Sequence, residues 1–300
     1  MRELEFIEWI YSQGRFDPAV VPVGPGDDLA VVQVGPEGLL AGTDQVLDGV
    51  HFILGEHGPR AGGRKAMARN LSDVAAMAAL PLAALATVSL PKGLSRHDAQ
   101  EIYLGMREIG DVFDCPLIGG DMGSWAHPLA ISVTILARPR GISPVLRSGA
   151  KPGDAICVTG HFGGAWRSPR HLLFTPRIAE ARVLAGQFGL HAMIDVSDGL
   201  ARDLGHVCRA SGLGAQVNAA AVPVSAAAGP AGLAAALHDG EDYELLFTLS
   251  EEDANTLLDT QPLGVSVSRI GTMTPGEDMV LIDSAGRRKP LRPGGWEHQT

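Results

Sequence analysis

Apolar and polar positions divide the chain into short elements. Residues 3 to 13 place Leu4, Ile7 and Ile10 on one helical face. Leu29 to Val34 and Leu39 to Thr43 are strand-like runs around Gly35-Pro36-Glu37-Gly38, a turn signal that predicts a hairpin. Pairing centred on that turn sets Asp28 opposite Gln45 and Leu29 opposite Asp44, so Asp27, Asp28 and Asp44 gather at the open end. Gly63 to Ala79 predicts a helix that Pro81 ends, Ala83 to Leu90 a strand, and Arg96 to Phe113 an amphipathic helix. Cys115 to Ile118 predicts a short strand closed by Gly119-Gly120-Asp121, and Leu129 to Ala137 a longer one.

Arg147 to Asp154 is polar and turn-rich, which predicts a domain boundary dividing 1–146 from 147–300. Beyond it, Ala155 to Thr159 predicts a strand, 161 to 176 no regular element, and Arg177 to Phe188 a helix. Ala192 to Ile194 predicts a buried strand that runs into a helix marked by Leu200, Leu204, Val207 and Cys208 and ended by Ser211-Gly212. Ala215 to Val224 and Glu244 to Thr248 predict strands flanking an Ala-rich helix near 226 to 237, and Met279 to Ile282 a last strand.

Composition narrows the functional classes. A chain of 300 residues, 45% hydrophobic and 19% charged, is long enough for two globular domains. A net charge of -10 argues against nucleic acid as a partner, because phosphate neutralisation requires clustered cations. Cys115, Cys157 and Cys208 have no metal-site or disulfide spacing. The acid-bearing N-terminus does not read as a signal peptide, and the apolar run Val74 to Leu90 is interrupted by Pro81, so neither export nor a membrane span is expected. A cytoplasmic protein is the expectation.

The candidate chemistry lies in carboxylates at the joins between elements. Asp27, Asp28 and Asp44 would repel one another unless a cation sat between them. Asp73 lies within an otherwise apolar helix, where an ionised carboxylate requires a cavity or a cation. Asp121 follows two glycines, and Asp195 and Asp198 bracket a strand end. Ser197 or Asp198 also suits a plain helix cap. With Thr43 as a further hydroxyl, these are hard oxygen donors, suited to Mg2+ or Ca2+. No H-E-x-x-H or G-x-S-x-G spacing is present, so zinc hydrolysis and a serine elbow are disfavoured. Acids from separate elements suit several Mg2+ ions holding a polyphosphate.

Gly26-Asp27-Asp28, Thr43-Asp44 with Gly49-Val50-His51-Phe52, Asn70-Leu71-Ser72-Asp73, Gly119-Gly120-Asp121, Asp195-Val196-Ser197-Asp198-Gly199-Leu200 and Gly240-Glu241-Asp242-Tyr243-Glu244-Leu245-Leu246-Phe247 occur in this order. Together they resemble the thiamine-monophosphate kinase family, within a superfamily that includes aminoimidazole ribonucleotide synthetase. The resemblance implies an α+β fold of two domains, with the N-terminal sheets of two subunits meeting in a barrel-like homodimer and a C-terminal α/β sandwich. It implies Asp28, Thr43, Asp44, Asp73, Asp121, Asp195 and Asp198 as Mg2+ ligands, with Asp27 beside them. Tyr103, Gly120, Asp121, Arg147 and Ser197 would contact ATP; His51, Glu241 and Trp296 would hold thiamine monophosphate. It implies direct phosphoryl transfer without a catalytic acid, base or nucleophile. Gly42 replaces a usual hydroxyl, Met122 a usual threonine, and the segment after Gly160 is short. Alternatives are a superfamily enzyme with another substrate, or a silent nucleotide-binding paralogue.

Overall fold

The computed structural model describes residues 17–23, 26–35 and 38–296; the helix expected at 3 to 13 lies outside them. Two sheets organise the rest. The first comprises β1 (Ala30–Val32), β2 (Leu39–Leu47), β3 (Leu80–Pro91), β4 (Leu117–Trp125) and β5 (Ala130–Arg138), in the order β1-β2-β5-β3-β4. The second holds β6 (Ala155–Thr159), β7 (Leu190–Val196), β8 (Gly214–Asn218), β9 (Glu244–Leu249), β10 (Val267–Thr274), β11 (Met279–Ile282) and β12 (Arg288–Pro290), in the order β12-β11-β8-β10-β6-β9-β7.

The helices are α1 (Leu54–Ala76), α2 (Arg96–Val112), α3 (Arg170–Leu173), α4 (Ile178–Gln187), α5 (Leu200–Ser211), α6 (Gly232–His238) and α7 (Glu251–Thr260). Helix α1 touches β2 and β5 of the first sheet and β7 of the second. Its polar side chains are thereby presented to both halves. It crosses α2 closely: a side chain on Gly63 would meet the Ile102 carbonyl, and one on Gly105 the Arg60 carbonyl.

Strand alternation divides the interior of the second sheet. Ala155, Cys157, Met193, Leu245 and Phe247 join the core that contains α1. Ile156, Val158, Ala192, Ile194 and Leu246 join a second core under α5. Because successive side chains of a strand point to opposite faces, Asp195 shares the face of Met193 and is aimed at α1. By the same period, Asp44 shares the face of the buried Leu40 and Val46.

The first sheet is covered on one face only. Ile131, Val133 and Ile135 are buried, whereas Thr43, Gln45, Leu82, Leu85 and nearly all of β4 are exposed.

Several sequence expectations change. Ala30 pairs with Ala41, which brings Asp28 level with Thr43, two positions from the expected register but on the same face. A side chain at Gly42 would collide with Leu29, so the glycine admits that packing. Helix α1 starts nine residues earlier than expected, at Leu54 instead of Gly63, with a kink at Gly58 before Pro59. Pro81 lies inside β3, at a point where the register with β5 shifts. The strand expected to stop at Gly119 continues to Trp125, paired in parallel with β3. β8 ends at Asn218 instead of Val224. α7, β10 and β12 carry no sequence expectation at all.

Candidate active site

Helix α1 is buried along most of its length, yet Lys65, Arg69, Ser72 and Asp73 form a polar stripe on one face. Lys65, Arg69 and Asp73 recur at intervals of four and Ser72 lies three past Arg69, the spacings of neighbours on a helix surface. Each meets a partner from another element. The Lys65 ammonium pairs with the Glu241 carboxylate and donates to the His51 carbonyl. Arg69 Nε lies 2.7 Å from Asp44 Oδ2. Ser72 Oγ donates to Asp195 Oδ2 at 2.6 Å.

Asp73 closes the stripe, and there the charge is unbalanced. Donor oxygens of Asp28, Asp73 and Asp195 lie within 4.8 Å of one another. Burial, then repulsion from Asp195, Asp44 and Asp28, raises the Asp73 pKa well above the usual carboxylate range. Burial, then Asp28, pushes Asp195 to about 7. Asp73 also stands in the last turn of α1, where the helix dipole disfavours an anion and no basic residue offsets it. The opposing cation is Arg147, whose Nε and Nη2 grip Asp28 at 3.0 and 2.9 Å. Its backbone N–H donates to Asp27, whose pKa burial and then Asp28 raise to about 6. One guanidinium among four acids leaves a site whose oxygen donors fit a divalent cation.

Lys65 sits in a different environment. Fully buried, it lies 3.1 Å from His171 Nδ1 and 5.4 Å from the centre of the Trp166 ring. Burial lowers its pKa to about 8 against the opposing pull of Glu241. Burial, then Lys65, lowers His171 to about 3 and keeps that imidazole neutral. Glu241 and Tyr243 hold left-handed φ of 61° and 50°, unusual for side-chain-bearing residues. Their N–H groups donate to the Ser197 and Val196 carbonyls at 2.7 and 2.8 Å, which binds this turn to the end of β7. A side chain at Gly240 would strike the Ser197 carbonyl.

The sequence has close counterparts among known proteins. Residues 26–138 match the family model "AIR synthase related protein, N-terminal domain", and 151–284 match its C-terminal domain. The thiamine-monophosphate kinase of Rhodopirellula baltica is 39% identical over 99% of this chain and 97% of its own. That of Escherichia coli is 32% identical, over 99% and 98%. The chain belongs to the thiamine-monophosphate kinase family. A solved structure named "AaThiL complexed with AMPPCP and TMP" superposes with a TM-score of 0.83 at 28% identity, covering 99% of this chain and 97% of that one.

The residues that the resemblance singles out do not all come together. Asp28, Asp73 and Asp195 meet, with Asp27, Asp44 and Arg147 around them. Tyr103, Gly120 and Asp121 instead line a cavity of roughly 540 Å3 between α2 and the exposed β4. Thr43 donates its hydroxyl to the Val133 carbonyl, within the sheet. His51 accepts the Leu47 N–H on Nδ1. Trp296 is 48% exposed, and its backbone N–H donates to the Asp198 carbonyl at 2.9 Å.

Asp198 approaches Asp203 and His206 instead of the Asp73 group. Neither Ser197 nor Asp198 caps α5. The N-cap is Gly199, and Asp203 Oδ2 accepts the N–H groups of Asp198 and Gly199 at 3.1 Å each. In the short segment after Gly160, the Gly163 and Gly164 N–H groups are taken by Asp242 and Asp239.

Proposed function

We propose that the chain transfers the γ-phosphoryl group of ATP to the phosphate of thiamine monophosphate, giving ADP and thiamine diphosphate. The observation that carries this reading is the meeting of Asp28, Asp73 and Asp195, buried acids from both halves of the chain, beside an arginine. A phosphate oxygen of the acceptor forms the new bond to Pγ as the bond from Pγ to the β,γ-bridging oxygen breaks. The acceptor is already anionic, so no general base is required, and catalysis rests on placement and charge neutralisation. Bound Mg2+ would supply that neutralisation.

In this reading Asp28, Asp73 and Asp195 would hold Mg2+ directly. Asp27, Thr43, Asp44, Asp121 and Asp198 serve ions carried in with the polyphosphate. Tyr103, Gly120 and Asp121 hold ATP in the cavity beside β4, with Arg147 and Ser197 at the phosphate end. Arg147, which holds Asp28 at 3.0 and 2.9 Å, would be placed to contact phosphate as well. His51, Glu241 and Trp296 bind thiamine monophosphate. Residues 1–146 serve as the nucleotide and dimerisation domain, and 147–300 complete the site.

The uncovered β4 and the exposed Leu85, Ile118 and Met122 support a homodimer through the first sheet. Met122→Glu, by placing charge on that face, would shift a sedimentation profile from dimer to monomer. No described helix is long and apolar enough to cross a membrane, and a cytoplasmic enzyme is consistent with that. The deciding assay incubates the purified chain with Mg2+, ATP and thiamine monophosphate. Stoichiometric ADP and thiamine diphosphate are the expected products; ATP turnover without thiamine diphosphate overturns the assignment.

A further inference from the structure

Trp166 lies in the segment between β6 and α3, outside every motif discussed above. Its indole is tilted 37° against the His171 ring at 4.6 Å between centroids, yet it remains 42% exposed. The ring centre is 5.4 Å from the Lys65 ammonium, which is shared with Glu241 and the His51 carbonyl. An accessible indole therefore stands against the same ammonium that holds two of the positions proposed for the substrate.

The segment that carries it is fastened at both ends. Gly163 N–H donates to both Asp242 oxygens and Gly164 N–H to Asp239, while Ser168 donates to the Ala165 carbonyl. Arg170 donates to the His161 carbonyl and pairs with Asp242. An aromatic ring on a fastened support loses little freedom when a second flat ring stacks on it.

The geometry points to Trp166 as a substrate-binding residue that stacks on the aminopyrimidine ring of thiamine monophosphate and sets specificity for it. This rests on the kinase reading above. Thiamine offers two flat rings, a cationic thiazolium and a neutral aminopyrimidine. A second cation close to the Lys65 ammonium would be repelled, so the neutral ring takes the place at Trp166. The thiazolium is left to the Glu241 carboxylate and Trp296. The two indoles then serve different halves of one ligand.

The test compares thiamine monophosphate with an analogue whose aminopyrimidinylmethyl group is replaced by methyl, which keeps the thiazolium and the phosphate. Trp166→Ala raises KM for thiamine monophosphate roughly tenfold, with a smaller change in kcat and none in KM for ATP. Trp166→Phe recovers most of the loss, as a stacking role requires and a general folding defect does not. For the truncated analogue, wild type and Trp166→Ala have the same KM. An unchanged KM for thiamine monophosphate, or an equal rise for both acceptors, overturns the inference. Absence of turnover in the wild type would instead overturn the kinase reading, and the two failures are thereby distinct.

Discussion

Two clusters of buried charge share one face of α1 and behave in opposite ways. Around Lys65 the charges cancel: an ammonium meets a carboxylate, a carbonyl and a neutral imidazole. Two turns further on, Asp73 faces Asp28 and Asp195 with one guanidinium to offset them. The first arrangement is balanced within the chain, so it fixes Glu241 in place without calling for a further ion. The second carries excess negative charge, which a bound cation would satisfy. The difference separates a charge-balanced cluster from one that calls for a cation, without reference to any relative.

Removing an acid from the unbalanced cluster should cost the most function and cost stability nothing. Asp195→Asn or Asp73→Asn is expected to lower turnover by roughly 1000-fold or more, the scale of losing a main electrostatic contact to the transition state. The metal-free variant should melt at a higher temperature than wild type, because a repulsion has gone. A lower melting temperature with full turnover would erase the contrast.

The balanced cluster should respond in the reverse sense. Lys65→Met leaves Glu241 without its cation and should lower stability by about 3 kcal/mol, measured by denaturant unfolding. Adding Glu241→Gln should restore part of that loss. If the double variant is no more stable than the single one, the pair is not the unit described.

Proton competition sharpens the comparison further. Asp195, raised from 3.8 to about 7, holds a proton more tightly folded than unfolded. Its charging therefore weakens the metal-free fold as pH rises through that window, and stability is regained toward acid. Mg2+ must displace the same proton, so its apparent affinity should fall roughly tenfold per pH unit below about 7 for one proton displaced. A titration by calorimetry that is flat between pH 5 and 7 would contradict this.

The smallest effect is expected at Ser72→Ala, about 1 kcal/mol of stability. The Ser72 hydroxyl lowers the Asp195 pKa, so its loss should move the midpoint of that Mg2+ profile to higher pH.

How much of this was legible in sequence differs between the clusters for a physical reason. Asp28, Asp73 and Asp195 interrupt apolar runs, and a carboxylate beside a buried strand or inside an apolar helix stands out because its burial is costly. Lys65 and Arg69 do not stand out, since cations on a helix ordinarily mark a solvated face. Their period with Ser72 and Asp73 was the available signal. β4 was cut short because Gly119-Gly120 reads as punctuation, whereas its partner is β3, a long-range parallel pairing that no local pattern encodes. Asp203, the residue that holds the start of α5, was hidden inside the helix it serves.

The left-handed turn at Glu241 and Tyr243 bears on evolution as well as binding. Glycine at either place would relax the backbone, by a margin on the order of 1 kcal/mol or more, but would delete the acid that answers Lys65 or the ring stacked on Phe174. Drift toward an easier main chain is thus opposed at these two codons by what the side chains do. Glu241→Gly is expected to weaken the fold, because about 1 kcal/mol of backbone relief is outweighed by the roughly 3 kcal/mol cost of leaving the buried Lys65 ammonium without its carboxylate.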